Sequence, residues 1–572
     1  MEKAGAFTFV LHSHLPFARQ AGMWPHGEEW VHEAIAETYV PLLDALHDLQ
    51  AEEIHFHLTI DITPILAEQL SDPLIIEHFV HYAAERAAWA GNDVTRFEEA
   101  HDPAMRDLAR FYHHWYARTL TSFRDRYQQD LLGAFRQLQD AGYIEIATSA
   151  ATHGYLPLLS RDSSIYGQIR TGVEAYRRHF GRHPKAIWLP ECAYRSAIIE
   201  KSGGESHRRP GLESFLAAEG LRVFFSETHT VEGGQPVGKA AGEAIGPYGS
   251  VPRRYALSLS PEEQQEPGTT FRPYWVGDAP GQVAVLGRNN RTGQQVWSGT
   301  FGYPGDYVYR EFHRKDGKSG MQYWRVGGAN VDLGEKPLYE PAQASARAKE
   351  HADHFVGLVA ELLQSNRDET GRFGVIAAAY DTELFGHWWF EGVEWLKNVL
   401  RGLATRDDVE MTTASRIIEE HAPDRVMALP ESSWGAGGSH FTWLNVDTQW
   451  MWPQIHAAEQ RMEGLVAQSA EAKGERLDLL NQAARELLLL ESSDWPFLVT
   501  TGQAKEYASQ RFSEHVERFN QLAVLIERDN ALTDDERAFI RVLSERDNPF
   551  PGIDYRDFVE RQGSAAADRS LK

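Results

Sequence analysis

The most constraining feature of this chain is how its apolar runs end. Phe7–Leu11, Ile54–Ile60, Ile144–Thr148, Ala186–Leu189, Leu221–Phe225, Gln282–Leu286 and Gly374–Ala379 are short and strand-like. Each is followed within a few residues by a charged or imidazole side chain: His12, Asp61, His153, Glu191, Glu227, Arg288 and Asp381 in turn. Stretches of helical periodicity separate the runs, and strands alternating with helices predict a parallel sheet. A parallel barrel carries its chemistry at the carboxyl ends of its strands, so these polar residues should share one rim. Val409–Thr412 is a shorter, eighth candidate strand. Pro190 has no N–H for a ladder and should stop the fourth run just before Glu191. A rim carboxylate is a candidate nucleophile. Residue type alone equally allows a rim salt bridge.

The intervening segments set the expected organisation. Glu28–Leu49 reads as one amphipathic helix that carries Trp30. Residues 63–141 read as a helical insertion, whose stripe Phe111-Tyr112-His113-His114-Trp115-Tyr116 is expected to pack rather than catalyse. The barrel then comprises 1–62 and 142–415, interrupted by long loops at 231–272 and 297–340. Residues 416–562 are expected to form a helical C-terminal domain that contributes to a substrate groove, with 563–572 a frayed tail. No tandem repeat and no phosphate-loop, dinucleotide or Ser-His-Asp motif stands out.

Composition narrows the partners. The chain has 572 residues and a net charge of −25, which argues against nucleic acid and anionic membranes. There is no apolar run of transmembrane length and no signal-like segment. The single cysteine, Cys192, excludes an intrachain disulfide, so the cytoplasm is the expected address. The 16 tryptophans and 25 histidines suit a sugar ligand. Indole faces stack on sugar rings while the N–H reaches hydroxyls. The pair His12/His14 also admits a metal, with Asp61 as the only early acid to join it, which would make a metal-dependent barrel hydrolase or deacetylase.

Five stretches, in order, resemble the motifs of glycoside hydrolase family 57. They are His12-Ser13-His14-Leu15-Pro16, Thr152-His153-Gly154-Tyr155, Trp188-Leu189-Pro190-Glu191-Cys192, Tyr380-Asp381-Thr382-Glu383-Leu384-Phe385-Gly386-His387-Trp388 and Trp434-Gly435-Ala436-Gly437-Gly438-Ser439-His440. They span nearly the whole chain. Within the family, the 1,4-α-glucan (glycogen) branching enzymes are the nearest match, through the Trp434–Trp443 loop, Trp297 with Gly302-Tyr303-Pro304-Gly305-Asp306, and the helical C-terminal lobe.

The resemblance implies an α/β fold, a (β/α)7 barrel with a helical insertion and an all-helical C-terminal domain. It implies a retaining mechanism with Glu191 as nucleophile and Asp381 as general acid/base. His12, His14, His153 and His387 match rim residues around the sugar. Arg288, Gly305, Trp434, Asp494 and Gln503 match substrate-binding positions, and Trp30, Trp297 and Trp443 match groove aromatics. The implied substrate is an α-glucan such as amylose, amylopectin or glycogen. No cofactor or metal is expected, and the assembly is expected to be a monomer or weak homodimer. An α-amylase or 4-α-glucanotransferase of the same family is the alternative, and a catalytically dead glucan-binding protein would have lost one of the two acids. Trp434 sits among Gly435, Gly437 and Gly438, so it is expected to be an open stacking face rather than a core residue. The Gly/Pro-rich stretch 231–272, with Tyr248 and Tyr255, is expected to act as a lid that favours a glucan acceptor over water.

Overall fold

The computed structural model describes residues 3–202, 205–233, 268–277, 282–297, 302–328, 331–469, 471–528 and 530–561. At its centre are seven parallel strands: β1 (Gly5–Ser13), β2 (Leu58–Ile62), β3 (Ile144–Ser149), β4 (Ala186–Trp188), β5 (Val223–Ser226), β6 (Ala284–Gly287) and β7 (Gly374–Asp381). Each pairs with the next from β1 to β6, and β7 returns to pair with β1. A parallel bridge between Arg288 and Ala377, with the Asn289 N–H donating to the Ala377 carbonyl at 3.0 Å, joins β6 to β7 and closes the ring. All seven expected runs are therefore strands of one (β/α)7 barrel. The doubtful eighth, Val409–Met411, lies along the first residues of β1, on the side where β2 takes over further up.

Side-chain alternation explains why these runs form a barrel. On β1 and β7, Phe7, Phe9, Leu11, Ile376, Ala378 and Tyr380 share the outer core with the helices. Phe9 lies 5.9 Å from Phe355 of helix Pro341–Thr370 and 6.0 Å from Trp395 of helix Gly392–Ala404, ring centre to ring centre. Ala6, Val10, Val375, Ala377 and Ala379 belong to the other face and its separate core. Continuing that period places His12 and Asp381 on the inner face at the rim. They are direct register partners, and His12 is likewise opposite Asp61 on β2.

Several elements were not legible. The expected helix Glu28–Leu49 runs to Ala51 and is wound as a π-helix over Ile35–Tyr39, a distortion that often marks functional sites. Strand Pro273–Val276 runs antiparallel on β6, with Val426–Met427 beside it, and a hairpin pairs Ile198–Ser202 with Glu205–Arg209. These strands are short and lie in polar or Gly/Pro-rich sequence, where period-two patterning is weak.

Within 63–141 the helices are Pro64–Leu70, Pro73–Glu99, Pro103–Thr121 and Leu131–Asp140. Asp72 and Asp102 cap the second and third, each with proline in the first turn. The aromatic stripe packs as expected: Tyr112 is buried, and Trp115 lies 4.6 Å from Phe390. The excursion after β6 lies against these helices, with the Tyr323 hydroxyl donating to Asp93 at 2.7 Å. C-terminal to the barrel come helices Trp452–Ala467, Glu475–Leu490, Asp494–Thr501, Lys505–Glu527 and Asp534–Arg546. Residues 234–267 of the expected lid, including Tyr248 and Tyr255, and the tail 563–572 lie outside the described residues.

Candidate active site

The rim is built by how strands end. After β4, Leu189 leads into a single turn, Pro190–Cys192. Glu191 (φ 62°) and Cys192 (φ 49°) both sit in the left-handed region, which costs a non-glycine residue on the order of 1–3 kcal/mol. The turn is held by Cys192 N–H donating to the Leu189 carbonyl at 2.8 Å and by Trp434 N–H donating to the Glu191 carbonyl at 3.0 Å. His153, past β3, is held the same way at φ 59°, with its carbonyl accepting from Ser493 N–H at 3.1 Å. Both strained residues are pinned by segments far away in sequence.

Trp434 indole Nε1 donates to Glu191 Oε2 at 2.5 Å, and the Ser493 hydroxyl reaches Glu191 Oε1 at 3.4 Å. His12, His14 and His153 stack: ring centres are 3.9 Å apart for His14–His153 and 5.1 Å for His12–His153, and His12 lies 4.6 Å from Trp188. β1 ends at Ser13, so strict alternation stops and His14 can turn to the same side as His12. His12 Nδ1 is 2.6 Å from Asp61 Oδ2, and His14 Nε2 is 3.0 Å from Asp494 Oδ1. Burial alone would lower the His14 pKa, but the Asp494 carboxylate, together with the charges of Glu191 and Glu383, outweighs it and raises the value. Burial pushes the Asp61 carboxyl well up.

Asp381 ends β7, and the turn Thr382–Leu384 brings Glu383 back to the same cavity. Burial drives Glu383 up to about 7; the Tyr39 hydrogen bond opposes this and the Asp381 charge adds to it. Tyr39 donates its hydroxyl to Glu383 Oε1, which also accepts the His14 N–H at 3.2 Å. The π-wound turn that ends at Tyr39 is what delivers this hydroxyl. His387 Nδ1 lies 3.2 Å from Glu37 Oε2, to which Arg310 donates at 3.1 Å.

One cavity is thus lined by His12, His14, His153, Glu191, Asp381 and His387 from the barrel rim, by Trp30, and by Trp434 and Asp494 from the C-terminal segment. Of the remaining expected residues, the structure brings none to its wall. Arg288 is buried in an ion pair with Glu227 at 2.9 Å, 5.9 Å from the half-buried ring of Trp297. Gly305 ends the turn Tyr303–Gly305, and Gln503 precedes helix Lys505–Glu527.

Two aromatic expectations are corrected. Trp443 is fully buried and stacks on Tyr155 at 4.3 Å, so it is a core residue and not a groove wall. Trp434 is 2% exposed, packed on Trp188 at 5.1 Å. Gly435 beside it does not open space. A Cβ on Gly435 would come within 2.5 Å of the Trp443 ring, so glycine there allows close packing. Trp434 presents its N–H to Glu191 rather than an open face to solvent.

Sequence reasoning did not single out Glu383, Glu37 or Ser493 as site residues, and it offered Asp61 only as a rim acid and candidate metal partner, not as the partner of His12. Glu383 was visible in sequence two residues after Asp381, but only the turn puts both on one side.

The geometry is a cavity lined by acids from the ends of β4 and β7, by imidazoles and by aromatic side chains. The sequence profile of glycosyl hydrolase family 57 matches residues 8–430. The chain belongs to glycosyl hydrolase family 57. The profile of the 1,4-alpha-glucan branching enzyme C-terminal region matches residues 454–558. A 1,4-alpha-glucan branching enzyme of Thermococcus kodakarensis is 46% identical over 96% of this chain and 77% of its own length. The crystal structure of a GH57-type branching enzyme from Pyrococcus horikoshii superposes with a TM-score of 0.86, at 41% identity and 98% coverage of both chains. The crystal structure of an alpha-amylase of Thermotoga maritima superposes with a TM-score of 0.79 at 30% identity, covering 97% of this chain and 99% of its own.

The metal-dependent reading of His12/His14 finds no support in this family 57 site. The two imidazoles turn to different carboxylates, Asp61 and Asp494. Among the described residues, the His/Asp/Glu groups close enough to share an ion lie elsewhere. No described helix is long and apolar enough to cross a membrane.

Proposed function

We propose that this chain is a 1,4-α-glucan branching enzyme that cleaves an α-1,4 link with retention and transfers the segment to a 6-hydroxyl. The observation that carries the reading is the placement of Glu191 and Asp381, on the ends of β4 and β7, in one cavity completed by Trp434 and Asp494 from the C-terminal segment. The branching-enzyme C-terminal match covers the lobe that supplies Asp494.

In this reading Glu191 attacks the anomeric carbon, and Asp381 protonates the leaving 4-oxygen. A glycosyl-enzyme on Glu191 results, the intermediate that retention requires. Trp434 and Ser493 orient the nucleophile through their hydrogen bonds to its two oxygens. Asp381, now a carboxylate, removes the proton from the incoming 6-hydroxyl, because one group must serve both proton steps. His12, His14 and His153 offer ring nitrogens to sugar hydroxyls, and Trp30 offers an aromatic flank at the mouth. Asp494 binds a glucan hydroxyl while fixing His14. Arg288, Trp297, Gly305 and Gln503 act further along the glucan. The helical insertion and C-terminal lobe flank the barrel as walls of that path. The 231–272 lid holds the acceptor, since transfer beats water only when the acceptor is kept at high effective concentration.

No cofactor enters this chemistry. The product is a glycogen-like polymer. The buried, free Cys192 suits a reducing compartment, the cytoplasm.

The test is incubation with amylose, followed by counts of new α-1,6 links and of new reducing ends. Branches in excess of reducing ends support the proposal. Reducing ends without branches would make the chain an α-amylase, like the Thermotoga maritima protein it resembles.

A further inference from the structure

Three groups of His, Asp and Glu among the described residues have ligand atoms within 4.8 Å of one another. In Glu486/His515/Asp547, Arg518 already donates to Asp547 at 2.9 Å, so a cation is in place. Glu410/Glu420/His421 is partly open to solvent, and its imidazole stacks on Phe373 at 4.2 Å. The third group, Glu28, His32 and His78, differs from both.

Glu28 and His32 are buried, spaced i,i+4 along the helix that carries Trp30. His78 reaches them from helix Pro73–Glu99, and its side chain is 36% exposed. Glu28 Oε2 lies 2.5 Å from His78 Nδ1 and 3.7 Å from His32 Nε2. The second distance is beyond a hydrogen bond. His32 is 0% exposed, yet neither ring nitrogen has a hydrogen-bond partner among the described residues. Such a group is costly to bury and calls for an explanation. Glu28 Oε1 meanwhile accepts the Gln20 N–H at 2.7 Å, which fixes the carboxylate.

We propose that Glu28, His32 and His78 form a divalent-metal site of zinc type, separate from the catalytic cavity. Two imidazoles and a carboxylate with one face open to solvent are the ligand set of a three-protein-ligand zinc centre. Bonds of about 2.0–2.2 Å at tetrahedral angles want ligand atoms about 3.3–3.5 Å apart. The Glu28–His32 spacing is close to that. His78 must swing outward by less than about 1 Å, which its exposed position allows. The Gln20 N–H then serves as the outer partner that orients the carboxylate. A bound ion would satisfy His32 and lock the Trp30 helix to helix Pro73–Glu99.

The test uses the full, tag-free chain, stripped with chelator, titrated calorimetrically with ZnCl2, and examined with cobalt(II) by visible absorption. We expect one saturable equivalent, the intense visible bands of four-coordinate cobalt, and a rise in Tm on adding zinc. His78→Gln keeps a donor for Glu28 but is a poor zinc ligand. It should fold with a metal-free Tm near that of the native chain. It should weaken zinc binding by at least about tenfold and abolish the Tm rise. His421→Ala, on the group beside Phe373, should leave zinc affinity unchanged. The proposal is overturned if the native chain binds no stoichiometric zinc. It is also overturned if His78→Gln binds with native affinity, or if binding is lost with His421 instead.

Discussion

Replacing Trp434 with Phe isolates the hydrogen bond that links the C-terminal segment to the candidate nucleophile. Trp434 Nε1 donates to Glu191 Oε2 at 2.5 Å, in a setting where Trp434 is 2% and Glu191 8% exposed. A hydrogen bond to a charged group contributes about 1.5–3 kcal/mol. It favours the ionised carboxylate, so removing it favours the protonated form, which cannot attack. At 1.36 kcal/mol per pH unit, the acid limb of the kcat/KM profile should move up by about 1–2 units. That limb reports the free enzyme, so substrate binding does not obscure it. The Ser493 hydroxyl, on the other oxygen at 3.4 Å, makes a long, weak bond that positions the carboxylate but offsets little of this loss. Phenylalanine keeps most of the packing on Trp188, and the stability cost should be a few kcal/mol at most. The assay is branch formation on amylose, read as α-1,6 links after debranching, across the pH range where native and variant chains are both folded. An acid limb that stays in place while only the plateau falls would refute the reasoning and leave Trp434 as packing alone.

Three further outcomes follow from the site. Glu191→Gln should retain fold and glucan binding while turnover falls by several orders of magnitude, as for other covalent catalysts; native-like branching by the folded variant would remove Glu191 from its role. Glu383, raised to about 7 from an ordinary 4.5, binds its proton more tightly folded than unfolded. Stability should therefore fall as pH rises between about 4.5 and 7, by roughly 3 kcal/mol in all, and Glu383→Gln should flatten that part of the Tm–pH curve. An unchanged slope in the variant would assign it to another group. Arg288→Met strands the buried Glu227 carboxylate and should cost about 3–5 kcal/mol in denaturant unfolding, with part recovered by adding Glu227→Gln. Native stability with a raised KM would instead support the glucan-binding role.

Local pattern was enough for the barrel. Short apolar runs ending in His12, Asp61, Glu191 and Asp381, with helical stretches between them, leave few ways to bury every run except a parallel ring with its polar ends on one rim. Period-two alternation along β7 also puts Asp381 on the same face as Ala377 and Ala379, and Pro190 fixes where β4 ends. Those are properties of neighbours in the chain, so they can be read without a fold. What surrounds each acid is not local. The strained turn at Glu191 is held by Trp434, 243 residues away, and His153 is held by Ser493, 340 residues away. Gly435, which reads as open space beside Trp434, is a place where Trp443 packs close. The packing that aims the Trp434 indole N–H at Glu191 and the burial that raises Glu383 towards neutrality depend on the C-terminal segment and the π-wound turn at Tyr39 meeting the rim. Side-chain type and spacing therefore determined which residues could do chemistry. Only tertiary packing decided their partners and charge states, because desolvation and hydrogen bonding are set by atoms that no stretch of sequence places side by side.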